Sequence, residues 1–98
     1  MICHIVLIRL KDTQKTSLVL EQARNVLGTV PGVKNLRVGE GIKPDYSHPI
    51  AFVMDFDDKE SLDAYQVHPE HVRFRDEFLA PLADAKMVVD YEVRAKTQ

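Results

Sequence analysis

The chain has 98 residues, 45% of them hydrophobic and 29% charged, with 13 Lys and Arg against 15 Asp and Glu for a formal net charge of −2. This is the composition of one small globular domain, 1–98, and its interspersed charges lack the basic block or aromatic-basic alternation that would track a nucleic acid. No stretch is long and apolar enough to be a membrane span, and Met1–Leu10 lacks the basic start and small-residue cleavage site of a signal peptide, so a cytoplasmic protein is expected.

Ile2–Leu10 is an apolar, β-branched run interrupted only by His4 and Arg9, the pattern of a strand covered on both faces. It holds the sole cysteine, Cys3, which excludes an internal disulfide and reads as a small apolar strand residue. Asp12 or Thr13 can cap a helix over Gln14–Leu27, where Val19, Ala23, Val26, Leu27 and Val30 recur at helical spacing and Gly28 suits the C-terminal cap. Pro31-Gly32 turns the chain into a second strand, Val33–Val38, and a breaker-rich loop follows from Gly39 to Pro49.

Ile50–Phe56 reads as a third strand with Ile50, Phe52, Met54 and Phe56 on one face. Asp57-Asp58 caps a helix over Lys59–Gln66, and a further helix over Pro69–Leu79 aligns His71, Phe74 and Phe78 on one side. Arg73, Arg75, Asp76 and Glu77 alternate in sign and read as the solvated side of that helix. Met87–Val93 closes the order as a fourth strand, with Met87, Val89, Tyr91 and Val93 opposite Asp90 and Glu92, and Ala95–Gln98 reads as a disordered tail.

The order βαββαβ is the α+β, ferredoxin-like arrangement of a four-stranded antiparallel sheet with helices on one face. The bare face then needs a cover, and a second copy is the simplest, giving a homodimer whose two sheets enclose a partly apolar barrel. Placing the first and third strands side by side and parallel makes His4 and His48 neighbours. If the Tyr65–His71 corner folds over the same end, all four histidines and Tyr65 border one pocket.

Tyr65-Gln66-Val67-His68-Pro69-Glu70-His71 packs a phenol and two imidazoles into seven residues. Imidazole titrates nearest neutrality, so His71 as proton acceptor and Tyr65 as hydrogen-bond donor to a carbonyl or enolate form a natural acid/base pair. His4, His48, His68 and Tyr46 are the candidate substrate contacts. The same residues also fit structural roles: His68 stands where a helix cap belongs, and Tyr65 three residues after Leu62 suits a core aromatic. The His68-Pro69-Glu70-His71 spacing is not that of a zinc-binding helix, and no phosphate cradle, flavin or nicotinamide fingerprint occurs, so neither metal nor cofactor is expected.

His4-Ile5-Val6, the Val30-Pro31-Gly32-Val33 turn, Tyr65 with His68-Pro69-Glu70-His71, and Asp90-Tyr91 together resemble the stress-responsive A/B barrel (Dabb) family of the dimeric α+β barrel superfamily, over nearly the whole chain. The resemblance implies a ferredoxin-like dimer. Plant polyketide cyclases similar to this family use the tyrosine and second histidine of the motif as an acid/base pair, positions that match Tyr65 and His71, and their strand histidines correspond to His4 and His48. The expected function is therefore a dimeric barrel protein binding a small apolar carbonyl compound, with cyclase, isomerase or lyase chemistry. The competing reading is a non-enzymatic, stress-associated or ligand-binding protein.

Overall fold

A computed structural model describes residues 1–94; Ala95–Gln98, the expected tail, lie outside the described residues. The strands are β1 (Ile2–Leu10), β2 (Lys34–Glu40), β3 (Ile50–Phe56) and β4 (Ala83–Glu92), and the main helices are α1 (Thr16–Leu27), α2 (Lys59–Val67) and α3 (Pro69–Phe74). They form one sheet in the order β2-β3-β1-β4, antiparallel at every pairing, with the helices against one face. The ferredoxin-like βαββαβ expectation is met.

One expectation about that sheet fails. β1 and β3 are adjacent but antiparallel, with Ile2 opposite Phe56 and Ile8 opposite Ile50. The reason is topological: the α1 crossover returns β2 parallel to β1, and the following hairpin reverses the direction again for β3. The start of β3 therefore meets the end of β1, not its start.

Side chains alternate across each strand. His4, Val6, Ile8 and Leu10 of β1 and Ile50, Phe52, Met54 and Phe56 of β3 are buried toward the helices, while Ile5, Leu7, Ala51 and Val53 on the other face stay half-buried. The helices close this core with Val19, Ala23, Val26 and Leu27 of α1, Leu62 and Tyr65 of α2, and Phe74 of α3, whose ring meets Phe52 edge-on at 5.9 Å. Burying one such large apolar side chain contributes about 1.5–3 kcal/mol.

Several boundaries shift for local reasons. Asp12 accepts the Gln14 N–H at 2.9 Å and starts a 3-10 turn, Thr13–Lys15, so α1 proper begins at Thr16. Gly28 keeps right-handed backbone, and the reversal occurs at Val30-Pro31-Gly32-Val33, where Val33 N–H donates to Val30 O at 3.2 Å and Gly32 takes φ +92°. That is a type II turn, with proline fixing the first central residue and glycine supplying the positive φ of the second. A left-handed Asn35 interrupts the register between Lys34 and Arg37, and β2 continues to Glu40, beyond the expected Val38.

The helix expected to reach Leu79 changes character instead. After Phe74 it widens into a π-helical turn, Arg75–Leu79, in which Ala80 N–H reaches back to Arg75 O, and ends in Ala80–Leu82. Pro81 has no N–H to give and its ring crowds the preceding turn, which disfavours regular α-helix there. β4 begins at Ala83, four residues before the expected Met87, because Ala83–Lys86 carry little hydrophobic pattern yet pair with β1 from Leu10 to Ile8. The face away from the helices carries Ile5, Leu7, Val53, Met87, Val89 and Tyr91, of which Met87 and Tyr91 are exposed.

Candidate functional site

The residues singled out in sequence separate into two groups. His4 lies on β1 facing the helices and is 3% exposed; Tyr65 on α2 is 2% exposed and His71 on α3 is half-buried. Their rings form one contact chain, with centroids 5.8 Å apart for His4 and Tyr65 and 4.4 Å apart for Tyr65 and His71. Phe56 closes it from the core side, 5.1 Å from Tyr65 and 6.2 Å from His4.

His68 and the two loop residues stand elsewhere. His68 is the N-cap of α3, its Nδ1 accepting the Glu70 N–H at 3.1 Å, as the capping alternative had it. His48 precedes β3 and bonds Ser47 Oγ at 2.9 Å. Extending the antiparallel register sets it beside Leu10, six residues from His4 along β1 and thus about 20 Å away. The expected His4–His48 pairing is overturned by that strand direction. Tyr46 is 44% exposed in the β2–β3 loop, packed over Gly41 at the same remote end.

The helix–sheet geometry defines the chemistry of the first group. His71 Nδ1 donates to Gln66 O at 2.9 Å; a carbonyl can only accept, so in the neutral ring Nε2 carries the lone pair. Burial is the main cause holding His71 below the ordinary histidine range, with Arg75, His4 and Lys86 adding to it and the bond to Gln66 opposing. His4 Nδ1 hydrogen-bonds Asp90 Oδ1 across the β1–β4 ladder, where the two residues are direct partners. Burial pushes the Tyr65 phenol well above the usual tyrosine range, so it stays protonated and can donate a hydrogen bond but not readily surrender its proton.

A cleft of about 200 Å³ opens beside this chain between α3 and the β1–β4 edge, with His4, His71, Gln66, Arg75, Lys86 and Val88 among its lining residues. Tyr65 stands behind that wall. Its hydroxyl makes no hydrogen bond among the described residues. The cleft lies on the helix side of the sheet, within one chain, whereas the expected pocket was the space between two sheets. Among the described residues, no group of three His, Cys, Asp or Glu side chains is arranged to hold a metal ion.

Two residues lining the cleft, Arg75 and Lys86, and the partner of His4, Asp90, were missed or misassigned in the sequence. Asp90 was placed on the polar face of β4, but only the β1–β4 register shows that this face is the one His4 occupies. Arg75 was read as solvated; its four-residue offset from His71 is the signal that sets both on one helical side. Lys86 fell before the expected start of β4.

The family model described as Stress Responsive A/B Barrel Domain matches residues 2–93. A stress-response A/B barrel domain-containing protein of Arabidopsis thaliana is 29% identical, the match covering 94% of this chain and 86% of that one. A dimeric ferredoxin-like protein of unknown function from Thermobifida fusca superposes with a TM-score of 0.81 at 26% identity, over 94% of this chain and 90% of the other. The hydroxynitrile lyase of Passiflora edulis shares the fold with a TM-score of 0.82 at 19% identity, over 99% and 96% of the two chains.

Proposed function

The chain belongs to the stress responsive A/B barrel domain family, and we propose that it is a homodimeric, cofactor-free acid/base enzyme acting on a small, mostly apolar carbonyl compound bound in the cleft beside His4 and His71. The observation that carries this reading is the His71 ring, fixed through Nδ1 by Gln66 O, shifted toward its neutral form and in contact with a phenol that keeps its proton. A neutral imidazole with one nitrogen tied and the other free is a general base, and a protonated tyrosine beside it is a hydrogen-bond donor for developing negative oxygen.

The reaction step follows from these roles. His71 Nε2 takes a proton from the carbon next to the substrate carbonyl. The C–H electron pair moves into the enolate, whose oxygen accepts a hydrogen bond from the Tyr65 hydroxyl. His4, held by Asp90, presents its second nitrogen to the same cleft and orients the substrate. Return of the proton at another carbon completes an isomerisation, attack of the enolate on a second carbonyl a ring closure, and expulsion of a leaving group a lyase step. A hydroxynitrile lyase with this fold supports proton-transfer chemistry in general as one that the architecture accommodates, and not this enolate step in particular.

Dimerisation rests on the apolar sheet face. Ile5, Leu7, Val53, Met87, Val89 and Tyr91 form a contiguous surface that a second copy would cover, and the Thermobifida fusca protein of the same fold is dimeric.

The test is α-hydrogen exchange in deuterium oxide, followed by proton NMR on a panel of small ketones and aldehydes. Exchange above the buffer rate for at least one compound, lost in His71→Ala while the protein stays folded, is expected. Exchange that never exceeds buffer, or that survives His71→Ala unchanged, would rule the proposal out.

A further inference from the structure

We infer that Arg75 and Lys86 form an anion subsite, and that the compound taken by the cleft is a small organic carboxylate bearing its carbonyl a few atoms from the carboxyl group. This deepens the reading above and rests on it.

The chain is acidic overall, yet no Asp or Glu lines the smaller cleft, which has two fixed cations, two imidazoles and the apolar side chains of Val6, Leu79 and Val88. The nearby acids are engaged elsewhere: Asp90 holds His4, and Asp84 is paired with Arg9 at 2.8 Å. Among the described residues Lys86 has no acidic partner within ion-pair distance. Among the described residues the only side-chain hydrogen bond or ion pair of Arg75 is to its neighbour Asp76, through Nε at 3.2 Å, which leaves both Nη groups to receive a ligand. A guanidinium with its two outer nitrogens open suits a carboxylate, and an ammonium beside it adds charge.

Placement makes the pair a divider between two spaces. Arg75 follows His71 by one helical turn, and Lys86 sits on β4 opposite Ile8, two residues from Val88. A second cavity of about 350 Å³ shares Arg75, Lys86 and Leu79 with the first and is otherwise walled by the small side chains of Ala80, Ala83 and Ala85 and by Asp84, whose carboxylate is paired with Arg9. A carboxylate anchored at this junction sets the adjoining carbon skeleton against His71 on one side and lets substituents run into the alanine-walled space on the other. The same two cations weaken protonation of His71, as their proximity to its ring requires.

The test uses matched probes of one shape: benzoate, its neutral amide benzamide, and inorganic phosphate, titrated into the wild-type protein and into Lys86→Gln and Arg75→Gln while the imidazole proton resonances of His4 and His71 report where they bind. Benzoate is expected to bind about tenfold more tightly than benzamide, a difference of the size one charge-assisted hydrogen bond supplies, and to lose roughly that factor in each variant while benzamide does not. Equal binding of benzoate and benzamide, no benzoate binding, or affinity unaltered by both substitutions would overturn the anion subsite. Displacement of benzoate by an equal concentration of phosphate would overturn the carboxylate assignment. None of these results alters the His71-dependent exchange expected above, so failure of the subsite and failure of the acid/base reading are separable.

Discussion

Replacing Tyr65 by phenylalanine separates a catalytic phenol from a packed core ring. The ring itself is well held, with centroid distances of 4.4 Å to His71, 5.1 Å to Phe56 and 5.8 Å to His4, and Tyr65→Phe keeps all three contacts. What it removes is a hydroxyl with no hydrogen-bond partner among the described residues, on a side chain only 2% exposed. An unpaired hydroxyl taken out of water costs about 1–3 kcal/mol in a protein interior. Its removal should therefore leave stability unchanged or raise it by up to roughly 1 kcal/mol. Truncation to Tyr65→Ala, which also deletes the ring, should cost about 3–5 kcal/mol. Equilibrium urea unfolding of the three proteins measures both differences, and the exchange assay on Tyr65→Phe should show a loss of rate despite the intact fold. Destabilisation of Tyr65→Phe by more than about 1 kcal/mol would mean the hydroxyl is held by a structural hydrogen bond, and the reasoning that keeps it free for a substrate would be refuted.

His71 is shifted below its ordinary value of 6.5 in the folded protein, so the folded state binds this proton less readily than the unfolded chain. Its contribution to stability is complete above about pH 6.5 and declines as the pH falls through the folded pKa; urea unfolding of wild type and His71→Gln between about pH 8 and pH 5 should show a steeper acid-side loss for wild type, and parallel curves would contradict this. Gly32→Ala should cost about 1 kcal/mol, because the added methyl meets Ser61 Cβ at an ordinary 3.6 Å and only the φ of +92° resists it; thermal unfolding with no loss would place the strain elsewhere. Val89→Asp sets a charge in the middle of the apolar sheet face and should convert the proposed dimer to monomers in sedimentation velocity, whereas a variant that sediments as a dimer would show that another surface joins the subunits.

The elements legible in the sequence are those whose pattern is local. β1 and β3 were recovered with their full bounds because each alternates or runs apolar along its whole length, and the Asp58 cap and the Pro31-Gly32 turn follow from single residue types in fixed positions. The Tyr65–His71 contact was legible for the same reason, since α2 and α3 are joined only through His68. Strand direction and ladder register depend on the path of the whole chain. His48 was accordingly set beside His4 when the two are separated by the length of β1, and Asp90 was not recognised as His4's partner. The four-residue offset of Arg75 from His71 is masked by the alternating charges around it, and Lys86 lies in the weakly patterned start of an edge strand, which carries no periodic signal.

The claim on which the chemistry depends is the state of one ring. Long-range proton–nitrogen correlation NMR of histidine-labelled protein near neutral pH reads it directly. His71 should be neutral with its proton on Nδ1, the nitrogen that donates to Gln66 O, and its titration should fall below the ordinary histidine range. A His71 that is an imidazolium at that pH, or that carries its proton on Nε2, would leave no lone pair facing a substrate and would contradict its role as the base.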